Sequence, residues 1–163
     1  MIELAEDMPK TAEEASAYIF SVKQPTLDDF KVMVLLEAAG QGFYGALAEA
    51  APSEPIRALF VRSGQEELGH AHRVSRVIEQ VFGADFPPPT PAENPYHTVP
   101  KGLVVSKEML DGITQGEIAG EALYEAWARG IGNEEAARLL RQNGKEERGH
   151  GDRAQQAKAL LPG

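Results

Sequence analysis

Glu66-Glu67-Leu68-Gly69-His70-Ala71-His72-Arg73 returns eighty residues later as Glu146-Glu147-Arg148-Gly149-His150-Gly151-Asp152-Arg153. The likeness extends upstream of both segments. Sliding the 163-residue chain against itself by 80 positions aligns residues 37–73 with 117–153 without a gap, and 14 of the 37 pairs are identical. Background composition would give on the order of three. One structural unit therefore occurs twice.

Each unit has the signals of two helices. Thr26 followed by Asp29 has the form of a capping box, and Phe30, Val34, Leu35 and Ala38 then recur at helical spacing towards Ala51 and Pro52, predicting a helix over 27–50. Ser53-Glu54-Pro55 offers an N-cap, an acidic first turn and an early proline. Leu59, Phe60, Val74, Ile78 and Val81 carry a second helix over 54–82, up to Gly83. In the second unit Ser106 caps a helix that runs to Arg129 and stops at Gly130, and Asn133 with Glu134 and Glu135 opens one that runs to Leu160. A short helix from Thr11, with Glu14 completing a capping box, is expected to pack Tyr18, Ile19 and Phe20 against the rest. The chain thus divides into an extension (1–25), a hairpin (26–82), a connector (83–105) and a second hairpin (106–161), together one all-α four-helix bundle over 1–163.

The connector carries six of the eleven prolines. In a polyproline-like conformation, at about 3.1 Å per residue, it reaches roughly 70 Å, against about 43 Å for the longest helix. It is expected to cross over along the bundle; the alternative is a flexible linker.

Within each unit a glutamate precedes Glu-x-x-His by thirty residues: Glu37, Glu67 and His70, then Glu117, Glu147 and His150. Positions i and i+3 lie about 60° apart on a helix, so each Glu-x-x-His pair projects from one face. The turns near Pro52 and Gly132 lie 15 residues from the glutamates on either side, which brings those glutamates level at roughly 22 Å from each turn. With the turns at opposite ends, both sets meet at mid-bundle. Four carboxylates match the charge of two divalent ions, and two imidazoles complete a nitrogen and oxygen donor set suited to iron or manganese. A single Glu-x-x-His is a weak signal, because 19 glutamates and four histidines yield about half an occurrence by chance. Two at matched places in a duplication are a strong one.

Composition narrows the function classes. A net charge of -9 repels a phosphate backbone and argues against nucleic acid as partner. No apolar run approaches the roughly 20 residues of a membrane span. Without cysteine there is no disulfide, thiolate zinc site or cysteine-held iron cluster, so any metal must sit on N and O ligands. The first residues lack the basic start and apolar stretch of a secretory signal, which sets a cytoplasmic expectation.

Glu37, Glu67-Leu-Gly-His70, Glu117 and Glu147-Arg-Gly-His150 on four helices resemble the ferritin-like di-iron carboxylate superfamily, above all its rubrerythrin and bacterioferritin-type members. The resemblance covers about 27–160 and implies a ferritin-like bundle with two metal ions per chain. It implies bridging roles for Glu67 and Glu147, terminal or switching roles for Glu37 and Glu117, and one imidazole on each ion. It also implies that Glu66 and Glu146, the acidic residues before each motif, orient an imidazole of the opposite hairpin; the alternative is an ordinary surface glutamate. Two departures stand out. The four-cysteine rubredoxin site of rubrerythrins is missing, so electrons must come from an external donor. The seventh carboxylate, three residues after the third-helix glutamate, is replaced by Gly120, leaving Glu121 as a possible extra ligand or a plain surface residue. The tail after the last helix is shorter than in ferritin cages, which disfavours a storage shell.

Tyr44 and Tyr124 fall seven residues beyond Glu37 and Glu117, two turns on along almost the same face. They are expected to hydrogen-bond a ligand carboxylate or supply an oxidisable phenol, or else simply to pack with a satisfied hydroxyl. His72 should face away from the ligands, His97 should be solvated in the connector, and Trp127 belongs to the core or an interface. The leading expectation is reduction of hydrogen peroxide or dioxygen by a rubrerythrin-like oxidoreductase. The alternatives are a ferroxidase or iron-handling protein, an oxygenase on an organic substrate, and a bundle whose metals only hold it together. A homo-oligomer, in the simplest case a dimer, is expected from the long amphipathic helices.

Overall fold

The structure is a computed structural model that describes residues 2 and 4–162. Met1, Glu3 and Gly163, on which the readings of the N-terminal start and the short tail partly draw, lie outside the described residues. Five helices follow one another: α1 (Ala12–Ile19), α2 (Leu27–Ala50), α3 (Glu54–Phe82), α4 (Lys107–Gly130) and α5 (Glu134–Leu160). There is no strand among the described residues. The arrangement is an all-α ferritin-like four-helix bundle with a short N-terminal helix packed on it.

The helix ends follow the capping chemistry, with two exceptions. Thr11 with Glu14 and Thr26 with Asp29 form reciprocal capping boxes, while Ser106 and Asn133 accept from the N–H groups of Met109 and Ala136. Ser53 stands at the N-cap of α3 but its side chain makes no capping bond. Pro55 in the first turn limits the cost, since it has no N–H to leave unpaired. At the other exception α4 runs through Gly130, and the chain turns instead at Gly132, whose φ of 68° is the left-handed conformation glycine adopts freely.

Each pair α2/α3 and α4/α5 is an antiparallel hairpin with a three-residue turn, and the hairpins join through α3 against α5. On the other side α2 and α4 meet through long side chains. Trp127 is fully buried there, edge-on to Phe30 at 5.0 Å between ring centres, and its Nε1–H donates to the Val22 carbonyl at 3.0 Å. Ala15 and Ile19 of α1 are buried, whereas Tyr18 donates to Asp29 at 2.5 Å and Phe20 stays 47% exposed beyond the helix end. Of the three residues expected to pack, only Ile19 does so fully.

The connector is docked along the bundle. It leaves the end of α3, where Ser75 donates to the Phe86 carbonyl, and arrives at Val105, which packs with Leu47 and Ile56 near the α2/α3 turn. At its midpoint the buried Asn94 donates to the Leu35 carbonyl at 2.8 Å and accepts from the Tyr96 N–H at 2.9 Å. Buried Tyr96 donates to the Pro9 carbonyl at 2.8 Å. His97 is not solvated: it is half-buried against α2, and a Cβ added to Gly42 would stand 2.4 Å from its ring. With α1, α3 and the connector around it, the first half of α2 buries Phe30, Val32, Met33, Val34 and Leu35 in near-continuous succession, which a one-faced helix would not.

Asn94→Ala removes both bonds and leaves buried groups unpaired, so a loss of about 1–3 kcal/mol in urea-denaturation stability is expected.

Candidate metal centre

Two apolar clusters fill the ends of the bundle, one around Phe30, Val77 and Trp127 and one around Leu47, Ile56 and Leu110. Between them lies a polar band to which every long helix contributes: Glu37 from α2, Glu67 and His70 from α3, Glu117 from α4, Glu147 and His150 from α5. Both histidines are fully buried, Glu37, Glu67 and Glu147 are nearly so, and Glu117 is 14% exposed.

The six form two overlapping groups. Glu37, Glu67, His70 and Glu147 offer ligand atoms within 4.8 Å of one another, and so do Glu67, Glu117, Glu147 and His150. Glu67 and Glu147 belong to both. The imidazoles stack at 5.1 Å between centres and 16° between planes. Each turns Nδ1 to the carboxylates: His70 Nδ1 lies 3.3 Å from both Glu37 and Glu147, and His150 Nδ1 lies 3.3 Å from Glu67 and 3.5 Å from Glu147.

Around this set the hairpins hold each other's groups. His70 Nε2 is 3.2 Å from Glu146 and His150 Nε2 is 3.2 Å from Glu66. Both glutamates are thus placed against an imidazole of the other hairpin while remaining about one-quarter exposed. Tyr44 donates to Glu117 and Tyr124 to Glu37, again across hairpins. Seven residues along its own helix a tyrosine stands about 10 Å from the glutamate it follows, too far to bond it; the antiparallel partner helix brings the matching one close.

Sequence reasoning missed a further layer. Arg73 binds Glu146 and Asn143, Arg153 binds Glu66 and Ser63, and Asn143 also donates to the His70 carbonyl at 3.3 Å. The signal was present: both arginines are among the repeated identities, three residues after each histidine on the same helix face. Glu121 lies outside both groups. Its carboxylate turns outward to Arg148 at 2.5 Å, so its 40° offset from Glu117 is enough to carry it to the surface. His72 is exposed, as its helical angle implies.

The electrostatics show what the site lacks by itself. Burial drives the Glu67 carboxyl well above its ordinary range, with Glu37 and Glu147 adding repulsion. Burial likewise raises Glu117 to about 7, helped by Glu147. Burial pulls the His150 imidazole down, but the surrounding Glu117, Glu147 and Glu67 outweigh it and lift it to about 11; His70 is raised in the same way by Glu146, Glu147 and Glu37. Without other cations, the carboxylates hold protons on the imidazoles and on each other. Neither ring nitrogen of His150 is aligned for a hydrogen bond, although carboxylate oxygens surround it. An unpaired buried nitrogen directed at converging carboxylates fits a metal ligand, and four carboxylates with two Nδ1 atoms fit a pair of divalent ions.

Residues 34–158, which include all six of these side chains, match the family model described as Rubrerythrin. No curated protein and no solved structure matches the chain.

The raised groups predict an unusual pH response of the metal-free protein. The stability they confer is fully present below their unfolded values, 4.5 for Glu117 and 6.5 for His150, and is lost as pH climbs towards about 7 and about 11. The melting temperature of metal-free protein should fall from about pH 5 to about pH 9. Metal-loaded protein, whose ligands must be deprotonated, should not follow it. Paired thermal melts with and without metal measure the difference.

Proposed function

The chain belongs to the rubrerythrin family, and from that premise we propose that it is a di-iron oxidoreductase that reduces hydrogen peroxide or dioxygen with electrons from an external donor. The observation that carries this reading is the overlap of two four-residue ligand groups in Glu67 and Glu147. Glu37, Glu67, His70 and Glu147 would hold one ion and Glu67, Glu117, Glu147 and His150 a second, with Glu67 and Glu147 common to both groups. When bound, two ferrous ions supply one electron each, which with two protons turn one hydrogen peroxide into two waters. An external donor must then return the two electrons, since the chain has no cysteine to hold a second iron site.

The protein's own groups position and protonate. Glu146 is held near a pKa of about 2: burial raises it, but His70, Gln142 and Arg73 outweigh that, so it stays a carboxylate. A carboxylate at Nε2 favours a proton there and leaves the Nδ1 lone pair facing inward. Glu66, kept a carboxylate by Arg62 and Arg153 against the effect of burial, stands 3.2 Å from His150 Nε2, the corresponding place in the other hairpin. Burial and neighbouring carboxylates raise both Tyr44 and Tyr124 well above the ordinary phenol value. Each therefore keeps its proton and donates a hydrogen bond across the bundle, Tyr44 to Glu117 and Tyr124 to Glu37, steadying that carboxylate. Glu66 and Glu146 also connect the imidazoles to the α3/α5 surface, a one-residue path on which an electron donor can act.

Anaerobic loading should give two irons per chain. The reduced protein should be oxidised by peroxide in stopped-flow spectra much faster than free ferrous ion in the same buffer. Glu67→Ala and Glu147→Ala should lose both properties; equal rates for protein and free ion would overturn the reading, and iron accumulating far beyond two per chain would point to iron handling. Tyr124→Phe should keep two irons and slow the oxidation by about 10–100-fold, the usual cost of losing a supporting group around a metal ligand.

A further inference from the structure

From the space between α2 and α4, we infer a binding site for a small organic acid, with an apolar body and a single carboxylate head, set directly against the metal centre. The head-group assignment rests on the di-metal reading above; the apolar pocket does not.

A cavity of about 220 Å³ opens here, floored by Glu37, Glu67, Glu117 and Glu147. It is far larger than a two-oxygen molecule requires, since one water takes about 30 Å³ and a 150 Å³ apolar cavity accommodates benzene. Its walls are Met33, Leu36, Leu123 and Ile19, and its mouth is marked by Phe20, the half-exposed aromatic that the packing of α1 leaves unexplained. The polarity is therefore divided, with charge at the floor and hydrocarbon from there outward. The Tyr124 hydroxyl is already committed to Glu37, and Ser16 lies at the exposed edge.

The space is made by absent side chains. A Cβ at Gly116 would meet nothing within 4 Å, and one at Gly120 would make only ordinary contact, 3.5 Å from Glu147. Neither position demands glycine, yet each interior helical glycine costs about 1 kcal/mol relative to alanine. Gly40, on the facing helix, differs: a Cβ there would press to 2.8 Å from Glu67, so the carboxylate itself requires the glycine. The α4 wall is thus left open at the exposed Gly116 and the partly buried Gly120, where a Cβ would be sterically tolerated. The size suits a body of on the order of eight carbon atoms.

The charge of the floor selects the head. Divalent ions held by the floor would offer a carboxylate head a cation to bind, whereas the cavity lining by itself has no cationic side chain to hold one. A neutral molecule of the same shape escapes that condition.

Carbon-13 labelling of the methionine methyl groups provides a direct readout, because Met33 lines the cavity while Met8 and Met109 do not. Protein loaded with redox-silent zinc, with two ions per chain verified, is titrated with sodium octanoate, and metal-free protein is titrated with octanoate and with 1-octanol. The expected result is a saturable shift of Met33 alone, given by octanoate only in loaded protein and by octanol in both. Gly116→Met, whose Cβ meets no atom within 4 Å beyond its chain neighbours and whose side chain has room to lie across the cavity, should keep two zinc ions and weaken both probes at least tenfold. An unmoved Met33 in loaded protein at about 10 mM octanoate, or equal binding by Gly116→Met, overturns the inference. Failure to hold two ions would overturn the di-metal reading instead, and octanol would still decide the pocket: a Met33 shift sustains the apolar site, and no shift removes it.

Discussion

Four carboxylates brought within 4.8 Å of shared neighbours, three of them buried, are a repulsion the rest of the molecule has to answer. At such separations the energy of like charges is several kcal/mol even with generous screening. The chain answers first with two imidazoles whose Nδ1 atoms face the carboxylates, and around these with Arg73 and Arg153, whose guanidinium groups secure Glu146 and Glu66. The cations that complete the balance are the pair of metal ions for which the donors converge. The polar band must also be enclosed, which explains why the apolar core is split into two clusters.

The duplication supplies this geometry economically. Three kinds of supporting contact cross from one hairpin to the other: tyrosine to glutamate, acidic residue to imidazole, arginine to that acidic residue. None of the three closes within a single hairpin. A lone unit would hold three ligands with no support for them, so assembly of the bundle and assembly of the site are one event, with the metal ions adding to the free energy of both.

Much of this was legible in the sequence because helical periodicity and an ungapped repeat are short-range signals. The bounds of α2 and α3, the opening of α5 at Asn133 and the Thr11 and Thr26 capping boxes depend on residues a few positions apart. What depended on side-chain direction was harder. Glu121 sits one residue beyond the position where a further ligand would be expected, and that single step turns it to Arg148. His97 looked solvated in a proline-rich stretch, but the stretch is laid against α2 at Gly42, a contact between residues 55 positions apart that no local pattern announces. The tyrosine hydroxyls do bond carboxylates, yet their partners lie on the opposite hairpin, and only the antiparallel register of α2 and α4 identifies them.

The two sides of the centre then differ in a way the repeat alone would not suggest. On the α3/α5 side the helices pack closely and two arginine-bound glutamates separate the imidazoles from solvent; this side is charged and tightly bonded. On the α2/α4 side the backbones stay apart, the tyrosines bridge the gap, and the hollow at Gly116 and Gly120 leaves the glutamates within reach of small molecules. Glutamates tolerate a change of position in a way packed imidazoles do not, since one carboxylate offers two oxygens and can bind through either. The open side thus exposes carboxylates to what enters, while the contacts that hold the bundle together lie on the closed side.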